Sequence, residues 1–153
     1  MHRVEQVRKI VDKIILEIED DEERRCAYVH LYGVSQICSM LSLKRMCNTE
    51  LAIIAGMLHD IYSYANMDHN DHAHKGADMA RSILDSMDIF DEEEKRLICT
   101  AIYNHSDKTD VQGDLDEILK DADVLQHVLY NPLKAIRQHE RIRYESLREE
   151  LDF

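Results

Sequence analysis

The stretch Leu51–Tyr64, reading LAIIAGMLHDIYSY, decides how the rest of the chain is read. From Leu51 to Leu58 it carries no charge and no strongly polar side chain. Such a run, helical by its length and its Ala and Leu content, belongs in the middle of a domain. It leads straight into His59 and Asp60. A carboxylate buried in a helix costs on the order of several kcal/mol unless something compensates it. A bound cation is one compensation when an imidazole sits beside it. A plain His–Asp hydrogen bond at a helix end is the other, and the pair alone does not choose.

Outward from this stretch, the composition narrows the class. The chain has 153 residues, which suggests one domain, 1–153, with a real core. One proline, four glycines and 33% charged residues fit an all-α protein with short loops. No run reaches the roughly 18 apolar residues of a membrane span. The opening MHRVEQVRKIVDK has charges at helical spacing and lacks a signal-peptide core, so a cytoplasmic location is expected. Cys26, Cys38, Cys47 and Cys99 form no CxxC pair, which reads as small core residues in a reducing compartment. The net charge of −12 disfavours nucleic acid and anionic membranes as partners. A phosphorylated substrate would need a metal and a few Lys or Arg residues to reverse the field locally.

The apolar spacing predicts six to seven helices. Val4, Val7, Val11, Ile14, Ile15 and Ile18 mark an amphipathic helix over 3–19. A second runs from about Glu22 to Arg45, with His30 beside its apolar face. Asn48 or Thr49 caps a third, which carries the opening stretch. A polar loop, 65–71, precedes a fourth helix over about His72–Met87. Asp91 caps a fifth, ending near His105. A sixth spans about Asp114–Tyr130, where Pro132 breaks or kinks it. The tail is expected as a charged helix over 133–151, either covering the core or meeting a second subunit, in a monomer or a homodimer.

His30, His59, Asp60, His105, Asp121 and Asp123 then fall on four different helices. They meet only in the centre of a bundle, where carboxylate and imidazole metal sites are built. Mixed nitrogen and oxygen donors suit iron, manganese, cobalt, nickel or zinc, not a calcium cage.

The pattern His30, then His59-Asp60, then Asp123, resembles the HD superfamily of metal-dependent phosphohydrolases. HLYGVSQIC, IIAGMLHDI, HAHKGADMA, AIYNHSDK and LKDADVLQH look like its successive motifs, in order, within a motif-bearing core at 22–130. The resemblance implies a compact HD-domain helical bundle and a shared metal site of His30, His59, Asp60 and Asp123. Asp123 is preferred to Asp121 because the family's Asp lies beside a segment reading ADxL, and residues two apart point to different faces of a helix. In two-metal members two further His residues hold the second ion and the HD aspartate bridges; His72 and His105 match them. His127, one turn after Asp123, reads as a packing residue or an outer partner of the site.

One departure matters. Many two-metal members read HDIGK, with a lysine that helps bind phosphate; here Ser63 stands at that place. No GYP motif occurs, so the cyclic dinucleotide phosphodiesterases fit poorly. Lys108, Lys75 or Arg81 are candidates to replace the missing charge. The implied activity is hydrolysis of a phosphoester or phosphoanhydride in a nucleotide or other small phosphorylated molecule. One or two divalent metals would lower the pKa of bound water toward ~7, with Asp60 and Lys108 as the catalytic candidates. Two alternatives stay open: a non-catalytic metal- or nucleotide-binding sensor, and a di-iron oxygenase.

Overall fold

The computed structural model describes residues 2–153, and among them every regular element is an α-helix. The elements are α1 (Arg3–Leu16), α2 (Asp21–Lys44), α3 (Thr49–Leu58), α4 (Ile61–Asn66), α5 (His72–Asp85), α6 (Glu92–Asn104), α7 (Asp114–Tyr130) and α8 (Arg141–Leu151). The all-α bundle expected from the sequence is present. It holds one helix more than expected because the third breaks in two.

α3 is the axis of the molecule. Leu51, Ala52 and all of Ile54–Leu58 are buried. The helix packs against α1, α2, α6 and α7. Its closest neighbour is α2, and Gly56 is the reason. A Cβ there would stand 2.6 Å from the Ser35 Cα and 2.9 Å from its backbone nitrogen. Ser35 Oγ meanwhile donates to the Ile53 carbonyl at 3.0 Å. The starts of these helices are fixed locally. Asp20 accepts from Glu22 N and Glu23 N, and Asn48 accepts from Leu51 N. Asp91 and Glu94 form a reciprocal capping box. Arg3 ties the N-terminal helix to Glu50 and, at 2.7 Å, to Glu94.

Two expectations about helices need correction. The helix carrying the opening stretch does not run through to Tyr64. It stops at Leu58, His59 caps it, and Asp60 leaves the helical region at φ −113°, ψ 12° before α4 begins. This turn sends the His59 and Asp60 side chains inward together. The tail is also not helical from 133. Pro132 offers no N–H, Leu133 is fully exposed, and 131–140 contains only short turns until α8 starts at Arg141. α8 is then anchored by Leu147, which is buried, and by two arginine clusters. Arg45 pairs with Glu150 at 2.6 Å and Asp121 at 2.7 Å. Arg143 pairs with Glu117 at 2.7 Å and Asp121 at 2.9 Å. No described helix is long and apolar enough to cross a membrane.

Candidate metal centre

Five segments converge at one end of α3. α2 brings His30, the α3–α4 turn brings His59 and Asp60, the start of α5 brings His72, and the end of α6 brings His105. α7 brings Asp123 and His127. α5 lies close enough for this because Gly76 has no side chain: a Cβ would sit 3.0 Å from the His59 carbonyl oxygen.

The ring nitrogens are oriented one by one. His59 Nδ1 donates to the Gly56 carbonyl at 2.8 Å and His105 Nδ1 to the Ile102 carbonyl at 2.6 Å. His72 Nδ1 donates to the His69 carbonyl at 3.3 Å, and His30 Nδ1 to Gln126 Oε1 at 2.8 Å. A carbonyl oxygen only accepts, so the Nδ1 positions carry the protons. In the neutral rings Nε2 is then a bare lone pair, the arrangement that outer hydrogen bonds impose on metal-ligating histidines.

These lone pairs face each other and two carboxylates. His30 Nε2 lies 3.1 Å from His59 Nε2 and 3.3 Å from Asp60 Oδ2. His59 Nε2 lies 3.5 Å from the same oxygen. Asp123 Oδ1 is 3.5 Å from His30 Nε2 and 3.8 Å from His59 Nε2. The other oxygen of Asp60, Oδ1, faces a different pair: His105 Nε2 at 3.2 Å and His72 Nε2 at 3.6 Å. Among the described residues, Asp60 Oδ1 and Asp123 Oδ1 are buried without a hydrogen-bond donor. Lone pairs and carboxylate oxygens gathered this closely repel unless a cation lies among them. The donor set therefore fits first-row divalent metals. Three groupings bring their ligand atoms within 4.8 Å of one another: His30–His59–Asp60, His30–Asp123–His127 and Asp60–His72–His105. Asp60 belongs to two of them, one through each oxygen.

The electrostatics point the same way. Burial pulls the His30 imidazole down, but Asp60 and Asp123 outweigh it and raise it to about 8. Burial dominates at His59 and pushes it to about 3, so it stays neutral. Burial also opposes ionisation of both aspartates. Yet His59, His105 and His30 hold Asp60 well below the usual carboxylate range. Lys108, His127 and His30 do the same for Asp123. Without a metal, a proton on His30 takes over part of a cation's role.

Around this centre lies a cavity of about 560 Å³, walled by Ser63, Tyr64, His69, Ser106, Lys108, Gln126, Tyr130, Asn131, Arg137, His139 and Glu140 as well as by most of the cluster. Lys108 reaches it but is engaged, donating to Asp123 Oδ2 at 2.6 Å and the His105 carbonyl at 2.7 Å. Ser63 Oγ is buried in the wall with no hydrogen-bond partner among the described residues. Neither Lys75 nor Arg81, expected as substrate contacts, lines this cavity. Lys75 is bound to Asp68 at 2.8 Å, and Arg81 to Asp85 and Glu92 at 3.0 and 2.5 Å. Asp121 faces Arg45 and Arg143, away from the cluster.

The sequence reading undervalued His127 and missed three residues. His127 Nε2 lies 3.5 Å from Asp123 Oδ1, and its Nδ1 donates to Glu140 Oε1 at 3.2 Å. Its position four residues after Asp123, on the same helix face, is the signal available in sequence. Gln126, which orients His30, carried no signal. Arg137 and Glu140 were hidden by the reading of 133–151 as one helix.

A comparison with solved structures finds a likeness to the crystal structure of a predicted HD superfamily hydrolase from an uncultured Thermotogales bacterium. The identity is 25%, the TM-score 0.63, and the match covers 94% of this chain and 88% of that one. A search of the curated proteins returns no match. The family model described as HD domain matches residues 27–127, from the turn before His30 to His127, and the chain belongs to the HD domain family.

Proposed function

We propose that this protein is a metal-dependent hydrolase of phosphoester or phosphoanhydride bonds in a nucleotide or other small phosphorylated molecule. The observation that carries this reading is the division of Asp60. One carboxylate oxygen faces His30 and His59, and the other faces His72 and His105. Asp60 would thereby be able to hold a cation through either oxygen, with His30 and His59 or with His72 and His105 beside it. The likeness to a predicted HD superfamily hydrolase adds support.

When bound, divalent metals supply Lewis acidity toward phosphoryl oxygens and acidify water toward neutral pH. The protein's own groups do the rest. His30, His59, His72 and His105 present Nε2 and are held in that tautomer by their Nδ1 hydrogen bonds. Lys108 holds Asp123 ionised and fixes one of its oxygens, leaving the other free. Lys108 is therefore a positioning residue for Asp123 before it is a substrate contact. Ser63 Oγ, unpartnered in the wall, is available to a phosphoryl oxygen or a water. Glu140 orients His127 beside Asp123. Burial of the cluster strengthens each of these interactions.

The test is metal analysis of the purified protein, then a screen of mono-, di- and dinucleotides with Mn²⁺, Co²⁺, Ni²⁺ and Fe²⁺. Asp60→Ala should lose metal and all hydrolysis. Turnover that survives Asp60→Ala, or metal-loaded protein inert toward every phosphorylated compound, would sink the reading. One equivalent of metal, unaffected by removal of His72 or His105, would sink its two-metal form.

A further inference from the structure

The chain carries 31 acidic against 19 basic residues, yet residues 131–143 hold Lys134, Arg137, Arg141 and Arg143 against the single carboxylate Glu140. The first ten residues of this basic stretch are not helical, and four of them line the metal-centre cavity: Asn131, Arg137 and His139, which are exposed, and Glu140, which is buried. Among the described residues, Lys108 and Arg137 are the lysines and arginines in that lining. Lys108 is buried and donates to Asp123 and to the His105 carbonyl. Arg137 is 59% exposed at its side chain, and its guanidinium has a distant contact to Glu140, at 4.0 Å. Glu140 is itself taken by His127. The Arg137 guanidinium is thus the cavity-lining cation with donors to spare, and it stands on the side of the cavity where Glu140 and His127 lead down to Asp123.

We propose that Arg137 is a specificity-determining residue that binds a second phosphate group of the substrate, so that the preferred substrates carry two or more linked phosphates. This rests on the phosphohydrolase reading and deepens it. One phosphoryl group belongs at the metal cluster, where Asp60 and Asp123 lie. A neighbouring phosphate then points to the mouth, where the planar guanidinium can take two of its oxygens at once. A monophosphate has nothing to offer Arg137. Arg137 places positive charge at the cavity, against the long-range repulsion that a −12 chain exerts on a polyanion.

The experiment is calorimetric titration of the manganese-loaded full chain, at buffered free Mn²⁺, with inorganic phosphate and with methylenediphosphonate, a diphosphate analogue that is not hydrolysed. Wild-type protein should bind the diphosphonate more tightly than phosphate. Arg137→Gln should lose about tenfold in diphosphonate affinity, the loss of one charge-assisted pair, while phosphate binding stays unchanged. Lys134→Gln removes the same charge from the same segment outside the cavity and should retain the wild-type preference. Equal losses in the two variants would overturn the contact in favour of a general field. A diphosphonate affinity that Arg137→Gln leaves intact, or that never exceeds that for phosphate, would overturn the inference while leaving the phosphohydrolase reading in place. If wild-type protein binds neither anion, the phosphohydrolase reading falls and the inference with it.

Discussion

Asp60 and His30 show how much chemistry rests on single atoms in this protein. Asp60 occupies a turn between two helices, so each of its oxygens has its own pair of imidazoles. His30 answers to both aspartates, and its raised value of about 8 means that it holds a proton at neutral pH when no metal is bound. A cation must displace that proton. Metal affinity should therefore climb as pH rises toward 8 and level off above it. Titrations at pH 7 in buffers of different ionisation enthalpy should show proton release, and release should fade above pH 8. A pH-independent affinity between 6 and 8 would mean that His30 is already neutral. Residue types made His59 and Asp60 legible in sequence, because an ionisable pair after an apolar run needs an explanation. Lys75 and Arg81 show that a basic residue near a site in sequence is often committed to a nearby carboxylate. Here Asp68, Asp85 and Glu92 take them.

At the scale of elements, two packing contacts hold the centre in shape. Gly56 lets α3 lie against the α2 backbone, and a methyl group there meets main-chain atoms at 2.6 and 2.9 Å. Main chain cannot rotate away, so the helices must separate. Gly56→Ala should cost at least about 1–3 kcal/mol, read by urea denaturation. It should also weaken metal binding, since α2 carries His30. The second contact is α8. Arg143 joins Glu117 and Asp121 and also donates to the Lys108 carbonyl at 2.8 Å, so this helix braces the loop that carries Lys108. Burial works against ionised Glu117, but Arg143 outweighs it and holds the group below its ordinary value; Arg45 does the same for Glu150. A depressed carboxylate contributes stability above about pH 4.5, and that contribution is lost as pH falls through the folded-state value. Thermal melts from pH 6 to 3 should show a falling midpoint. Arg143→Met, which removes one partner of the cluster, should show a shallower fall from a lower start.

For the whole molecule, the centre is a stabilising device only when it is filled. Four histidines and two aspartates point inward with two carboxylate oxygens lacking partners, an arrangement that costs folding energy until a cation binds. Metal that binds the folded chain alone should raise its stability by about 2.7 kcal/mol at a free concentration one hundred times Kd. A chelator should lower the melting midpoint of the wild-type protein by several degrees. It should leave Asp60→Ala, which cannot hold the metal, nearly unchanged. A chelator effect of equal size in both would place the bound metal elsewhere.

The sequence by itself determined most of the helices, their caps at Asp20, Asn48 and Asp91, and the His30, His59, Asp60, His72, His105 and Asp123 of the inward-facing cluster. These depend on local spacing and residue chemistry: apolar residues three and four apart, Asp20, Asn48 and Asp91 at helix starts, imidazoles and carboxylates beside buried runs. Tertiary structure decided the break at His59–Asp60, where α5 comes close enough for Gly76 to meet the His59 carbonyl. It also decided the unwound course of 131–140 across the cavity. A basic, moderately amphipathic stretch reads as helix when its partners are unknown. Only the folded chain shows Glu140 beside His127 and Arg137 against the cavity.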